Sequence, residues 1–416
     1  MATAHRRAAA RAGAAPGRAA IAALAIGNAG LWAAFFGPIE LLLAQQAAAI
    51  APADKVAVLG GVSAAGAGVA MLANPLFGAL SDRTRGRLGR RRPWILTGAT
   101  GGAASLVLLA QARDVAGMVM GWCLAQAALN AMFTALVAVI ADRVPPDRRG
   151  AVGAWLALAQ TGGVVGGVAI ASAAPDYAHG YLACAAAVLA GALPCLAIGD
   201  AGPLPPREPG HDGDARSRPG SIPADHRPAW RSPDARWAWL VRFLLNLTSA
   251  LGLLYLLYFL TDVVHRPAAA GDVLALTIVY VAAMTLVLLP AGFASDRIGR
   301  RRPFVVAAGA VAGTGMALLA LVPHWDAVRV GVALIGAGFG LYTAVDVAIV
   351  TQVLPRAADA ARDLGLFNIA NSLPQVLAPA LAGLLVGGFG YPVLYGVGAV
   401  LALAAAVAVG RIAAVG

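Results

Sequence analysis

Three ionisable residues stand inside otherwise apolar stretches of the sequence: Glu40, Arg242 and Asp346. A carboxyl group in a low-dielectric setting can load and unload a proton, and an ionisable side chain inside a membrane span is a functional candidate by default. Asp346 lies nine residues before Pro355, about 13 Å along a helix, which places it near the middle of a bilayer. It is the strongest candidate for a group that couples transport to protons or another cation. Glu40 lies 22 residues after Arg18, about 33 Å along, which places it at the outer interface, where ionisation costs little. Arg242 sits one or two turns inside its stretch and is in reach of water by snorkelling.

Polar stripes accompany these groups. Gln126, Asn130 and Thr134 follow an i, i+4, i+8 spacing that puts them on one helix face. Tyr342 and Asp346 share a face in the same way, as do Asn246 and Ser249 at i, i+3. Asn368, Asn371 and Gln375 form a further stripe, broken by Pro374 and Pro379. Such amides either line a polar path or glue helices together. Trp122, Trp155, Tyr255 and Tyr258 are aromatics that could stack on a sugar or belong to the interfacial belt.

Other chemistries lack their residues. The sole lysine, Lys55, is followed by Val56, so this chain has no GxxxxGK[ST] phosphate cradle, and the energy must come from a gradient, a partner subunit or the substrate's own gradient. The six histidines fall in loops or tails with no HxxxH or HExxH spacing, so no metal site and no enzyme is expected. Cys123, Cys184 and Cys195 are odd in number, lie in apolar stretches and read as small fillers. No cofactor is expected.

The elements that must position these residues follow from composition. The 416 residues are 60% hydrophobic and only 12% charged, against about 25% charged in a soluble protein. A chain this long cannot cover a soluble surface with so few polar groups. Twelve stretches approach the 20 or so apolar residues that span a bilayer: 19–43, 56–80, 93–112, 116–141, 150–173, 179–199, 237–261, 271–294, 303–322, 327–353, 364–388 and 391–410. They are continuously apolar rather than alternating, which excludes a β-barrel and leaves an all-α integral membrane protein. Residues 200–235 hold eight prolines, six acids and five arginines, a polar linker without a core of its own. The expected organisation is a tail (1–18), a six-helix bundle (19–199), the linker (200–235), a second six-helix bundle (236–411) and a short tail (412–416).

The net charge of +11 has an address. Of the 31 basic residues, 26 fall in the tails and alternate loops on one side, and four (Lys55, Arg113, Arg266 and Arg329) fall on the other. The positive-inside rule makes the crowded side cytoplasmic, with both termini inside. This leaves the charge to the lipid bilayer and calls for no nucleic-acid partner.

The two halves repeat one motif. Gly78-Ala-Leu-Ser-Asp82-Arg83 and Leu88-Gly89-Arg90-Arg91-Arg92-Pro93 follow the second span, and Gly292-Phe-Ala-Ser-Asp296-Arg297-Ile298-Gly299-Arg300-Arg301-Arg302-Pro303 follows the eighth. Pro93 and Pro303 are 210 residues apart, as are Pro145 and Pro355. Six spans separate the copies, so the repeat is parallel, about an axis along the membrane normal. Glycine at i and aspartate at i+4 share a helix face. The glycine admits a close neighbour, the aspartate accepts bonds from arginines or backbone donors, the next glycine turns the chain, and proline opens the following helix.

These paired motifs resemble the cytoplasmic signature of the major facilitator superfamily. The longer first copy, Ser81 to Pro93, is similar to the sucrose:proton symporter group and its bacterial relatives, as are the stretches Tyr342 to Pro355 and Arg362 to Gln375. The resemblance implies a major facilitator fold of two pseudo-symmetric six-helix bundles. It also implies secondary active transport of a small solute by alternating access, with proton coupling and a sugar as the expected cargo. The same architecture serves proton-driven exporters of drugs or metabolites. Spans one, four, seven and ten would line the path, which adds Asn28 and Trp32. The signature would lock the bundles together in one state through Gly78, Asp82, Arg83, Gly89 and Arg90 and through Gly292, Asp296, Arg297, Gly299 and Arg300. The expected form is a monomer in the plasma membrane. A receptor or a membrane enzyme is the remote alternative.

Overall fold

The computed structural model describes residues 18–85, 89–144, 148–196, 232–353 and 360–413. The N-terminal tail, nearly all of the central linker and residues 86–88 of the first signature loop lie outside these. The described residues contain twelve helices long and apolar enough to cross a membrane. They are α1 (Arg18–Ile50), α2 (Lys55–Arg83), α3 (Arg92–Gln111), α4 (Val115–Arg143), α5 (Arg149–Ala173), α6 (Tyr177–Leu196), α7 (Pro233–Leu254), α8 (Ala269–Ile298), α9 (Arg302–Leu321), α10 (Trp325–Val353), α11 (Ala360–Phe389) and α12 (Tyr391–Ala408). A short helix, Leu256–Asp262, continues α7. Backbone groups that lipid cannot hydrate are satisfied within each helix, and large apolar side chains such as Leu72, Leu286, Phe293 and Leu384 face outward where lipid would cover them.

The packing repeats itself. In the first half α1 packs on α5 and α6, α4 on α2 and α3, and α3 on α6. In the second half α7 packs on α11 and α12, α10 on α8 and α9, and α9 on α12. The halves meet through α2 against α11 and α5 against α8, which are themselves a pair related by the repeat. Small residues permit the closest approaches: a Cβ on Gly60 of α2 would lie 2.8 Å from the Pro379 carbonyl of α11 and 3.4 Å from the Gly383 Cα.

One predicted boundary moves well outward. The first span was expected to end at residue 43, but α1 continues to Ile50. Gln45 and Gln46 do not stop it, because the Gln46 side chain donates to the Leu109 and Ala112 carbonyls and accepts from the Tyr181 hydroxyl. Pro374 and Pro379, which interrupt the polar stripe of the eleventh span, do not interrupt the helix, and α11 runs through both. Pro75 of α2 and Pro290 of α8 are accommodated in the same way. Inside α1 the residues Pro38–Leu42 form a wide, π-type turn. Pro38 has no N–H for the regular ladder, and such turns gather at functional sites.

Candidate functional site

The ends of the molecule differ. At the end carrying the arginine-rich loops, here the signature end, Gly89 and Gly299 adopt φ of 86° and 72°. These left-handed turns are what the sequence required of them. Arg91 rather than Arg90 does most of the bonding there. It donates from Nη2 to Asp82 at 2.7 Å, from Nε to Asp142 at 2.9 Å and from Nη1 to the Ser81 hydroxyl at 2.8 Å. Arg90 joins Asp82 at 3.2 Å and Asp142 at 3.6 Å. In the second copy Arg301, not Arg300, reaches Asp296 at 2.9 Å and the Ser295 hydroxyl at 2.6 Å. Arg90, named from the sequence, is thus in the cluster and Arg91 joins it, while in the second copy Arg301 stands where Arg300 was expected; the left-handed glycine turns the second arginine back toward the preceding helix. Arg83 and Arg297 close α2 and α8 and, among the described residues, bond neither aspartate. Among the described residues nothing approaches Gly78 or Gly292 closely: a Cβ on either would meet nothing within 4 Å.

At the far end the halves are tied together. Lys55 donates to Asp262 Oδ1 at 2.7 Å, and the Tyr391 hydroxyl donates to Oδ2 at 2.9 Å. The Lys55 ammonium sits 4.8 Å from the centroid of the Tyr258 ring. The Tyr258 hydroxyl donates to the Ala44 carbonyl at 2.7 Å and the Tyr255 hydroxyl to the Val56 carbonyl at 2.9 Å, both across the halves. Burial pushes the Asp262 carboxyl up, but the bonds from Lys55, Tyr391 and Thr261 outweigh it and leave it below the ordinary carboxylate range. An apolar cluster that includes Leu31, Leu59, Leu251, Phe259 and Tyr395 runs through both halves.

Between these ends lie the ionisable residues of the spans. Arg242 of α7 and Asp346 of α10 form an ion pair, Nη1 to Oδ2, at 3.2 Å. Tyr342 donates to Asp346 Oδ1 at 2.6 Å, and its hydroxyl is also bonded by the Asn246 side chain. Asn246 Nδ2 donates in turn to the Arg242 carbonyl at 2.8 Å. The Arg242 Nε is sealed from solvent and has no hydrogen-bond partner among the described residues. The i, i+4 spacing predicted the Tyr342–Asp346 contact. The snorkelling expected of Arg242 is replaced by pairing, since a carboxylate opposite it offers more than a return to water.

Glu40 is buried rather than interfacial, with 8% of its surface exposed. It lies in the wide turn, ten residues before the end of α1, about 15 Å from that end. Counting from Arg18 placed it too far out because α1 extends well beyond it. Among the described residues it has no hydrogen bond or ion pair. Tyr280 of α8, in the other half, is close enough to interact electrostatically with it, and the Tyr280 and Ser249 hydroxyls are 2.7 Å apart. The sequence stripes had paired Ser249 with Asn246 and had left Tyr280 out. Its partner lies on another helix, so no local spacing marks it.

The amides divide. Asn28 donates to the Leu156 carbonyl at 2.9 Å and accepts from Trp32 at 3.1 Å, tying α1 to α5. Asn130 donates to the Gln126 side chain at 3.1 Å, and both are buried. Thr134 bonds only its own helix, at Ala131. Asn368, Asn371 and Gln375 are exposed on α11. Of the aromatics, Trp122, Tyr255 and Tyr258 are almost fully buried and Trp155 is 61% exposed. A half-buried aromatic group gathers instead around Trp32, whose ring lies 5.5 Å from Phe36 and 5.9 Å from Phe133. No group of His, Cys, Asp and Glu among the described residues could hold a metal ion.

A twelve-helix chain of two repeated bundles, with buried ionisable side chains between two unlike ends, has the architecture of a membrane transporter. Residues 55–410 match the family described as "MFS/sugar transport protein", and the chain belongs to that family of multi-pass membrane transporters. Among solved structures it resembles a variant of the nucleoside transporter NupG, with 15% identity, a TM-score of 0.74 and coverage of 95% of this chain and 100% of that one. It also resembles the peptide transporter POT in complex with sulfate, with 15% identity, a TM-score of 0.70 and coverage of 95% and 94%. None of the curated proteins matches.

Proposed function

We propose that the chain is a proton-coupled secondary transporter of a small polar solute, with a sugar as its cargo, that works by alternating access and keeps its signature end in the cytoplasm. The observation that carries this reading is the Arg242–Asp346–Tyr342 cluster, an ion pair inside the spans of the second half. An Asp346 that accepts a proton loses its hold on Arg242. The guanidinium, already with an idle Nε, is then free to donate to hydroxyls of a solute. The sugar reading rests on the family description and on the Trp32 aromatic group, a surface suited to the apolar face of a pyranose. The closed far end and the separated signature glycines fit one of the two states of a rocking cycle.

The test is uptake by proteoliposomes of a panel of labelled mono- and disaccharides, nucleosides and dipeptides, with and without an inward proton gradient. The expected result is sugar accumulation that depends on the gradient and is lost in Asp346→Asn, while exchange down a solute gradient persists. Accumulation that is indifferent to pH, or intact in Asp346→Asn, overturns the coupling assignment. Movement of a nucleoside or peptide and no sugar overturns the cargo.

A further inference from the structure

Asp346 is not the only carboxyl inside the spans. The second, Glu40, differs from it in surroundings, in depth and in the half to which it belongs. It sits in the wide turn Pro38–Leu42, which packs against α5 and α6 of its own half and against α7, its short continuation and α8 of the other. From Ala269, Tyr280 is eleven residues along α8, about 16 Å, so it reaches the same depth as Glu40 from the far end. The two groups thus face each other across the seam between the halves.

Among the described residues no cation meets the carboxyl. The ionisable side chains on the elements packed against the turn, toward the far end, are Asp272 and Tyr280 on α8, Tyr177, His179, Tyr181, Cys184 and Cys195 on α6, and Tyr255, Tyr258 and Asp262 at the end of α7 and its continuation. Asp296 and Arg297 of α8 and Asp234 and Arg236 of α7 lie at the signature end, and Asp272 is held by Arg266 at 2.7 Å. Tyr181 is committed to Gln46, Tyr255 and Tyr258 to backbone carbonyls, and Asp262 to Lys55 and Tyr391. His179 is engaged with Asp176 at the exposed start of α6. Beyond its opening arginine, α5 offers no ionisable group. Arg242, the arginine of α7 nearest the seam, is held by Asp346. An ionised carboxylate that is buried and unpaired costs several kcal/mol, and a proton removes that cost where no cation can.

We infer that Glu40, with Tyr280 and Ser249 across the seam, forms a second proton site, occupied while the far end is closed and emptied when the halves part there. This deepens the proposed transport cycle and rests on it. The chemistry balances as a simple protonation: the carboxylic acid releases one proton to water when the far end opens, and the carboxylate takes one proton back from water as that end closes. The Tyr280 hydroxyl, already bonded to Ser249, is a positioning group that senses whether the α1 turn is present. Glu40 thereby reports on the far end, whereas the Arg242–Asp346 pair lies nearer the signature end, Asp346 being seven residues from the end of α10.

The experiment is infrared spectroscopy of the full-length protein in lipid, titrated through the neutral range with no solute present. The expected result is a protonated-carboxyl carbonyl band in the wild type that persists in Asp346→Asn, disappears in Glu40→Gln, and titrates at a shifted pH in Tyr280→Phe. A merely structural Glu40 would not tie the band to Tyr280. A band that survives Glu40→Gln, or that is absent from the wild type at every pH, overturns the site. A midpoint unmoved in both Tyr280→Phe and Ser249→Ala overturns the role of the seam. Because this readout needs no cargo, its failure is distinct from the failure of every solute to move, which would sink the transport cycle itself.

Discussion

Glu40 and Asp346 are the same kind of problem met in two ways. Each is a carboxyl within an apolar span, one in each half. Asp346 has a guanidinium at 3.2 Å and a phenol at 2.6 Å, so its charge is compensated where it stands. Glu40 is more deeply buried and has neither. A paired group can be removed only by orphaning its partner. An unpaired group can be removed without leaving anything behind. The difference predicts that mutations at the two sites separate stability from coupling in opposite senses.

The largest effect falls on the paired side. Arg242→Gln leaves the Asp346 charge with Tyr342 alone. Breaking a buried pair costs about 3–5 kcal/mol, and the residual exposure of both side chains, 15% and 16%, argues for the lower part of that range. Thermal or denaturant unfolding in detergent measures it. The double variant Arg242→Gln with Asp346→Asn should recover most of the loss. If the double variant is as unstable as the single one, the pair is not what holds α7 to α10.

The signature loops repeat the comparison in milder form. Arg91 bonds two aspartates and a serine, while Arg301 bonds one aspartate and a serine. The repeat explains this, since the position 210 residues beyond Asp142 is Gln352. Arg91→Ala should cost about 1.5–3 kcal/mol, the range for hydrogen bonds to charged groups. Arg301→Ala should cost about 1 kcal/mol, because its aspartate is 77% exposed and screened by water. Unfolding of the two variants, and of Gln352→Asp, checks it. Equal losses would mean that the third partner contributes nothing.

Much of this was legible in the sequence, and the missing parts have a common cause. The twelve spans, the repeat and the glycine turns are read from local composition and spacing, and the helices follow them closely. The Tyr342–Asp346 contact was legible because i, i+4 is a local relation. The Arg242–Asp346 pair, the Glu40–Tyr280 seam and the Lys55–Asp262 tie join residues 104, 240 and 207 positions apart, and no periodicity within a helix encodes them. The depth of Glu40 was misread because a charge count marks where basic loops are, not where a helix ends. The addition of Arg91 beside Arg90, and of Arg301 in place of Arg300, reflects the turn geometry, since the residues in a run of three arginines read alike until the backbone aims them.

The far-end tie should be weaker still and should depend on pH. Lys55 and Asp262 keep 25% and 31% of their side chains exposed, so Lys55→Ala or Asp262→Asn should cost about 0.2–1 kcal/mol. The Asp262 carboxyl is held below its ordinary range. Its contribution is therefore fully present above that range and is lost as pH falls through the depressed value. Labelling of a cysteine placed at position 44, whose backbone alone takes part in the tie, reads the opening of this end with Asp262 intact and with Asp262→Asn, both in a background without the three native cysteines. Acid should raise labelling in the first and leave the second unchanged. Labelling that rises equally with acid in both would assign the pH response elsewhere.

The smallest effect is the sharpest test of the comparison. Glu40→Gln is isosteric and takes away no bond, because none is made among the described residues. Its stability should stay within about 0.5 kcal/mol of the wild type, or rise, as the amide removes a group whose ionised form is penalised by burial. The rise should be larger at alkaline pH, where the wild-type carboxyl is driven to ionise inside the protein, and should vanish in acid. Unfolding curves of the two proteins across pH measure it directly. A loss comparable to that of Arg242→Gln would show that Glu40 is held by a partner after all. The contrast between a paired and an unpaired carboxyl would then collapse into two structural ion pairs.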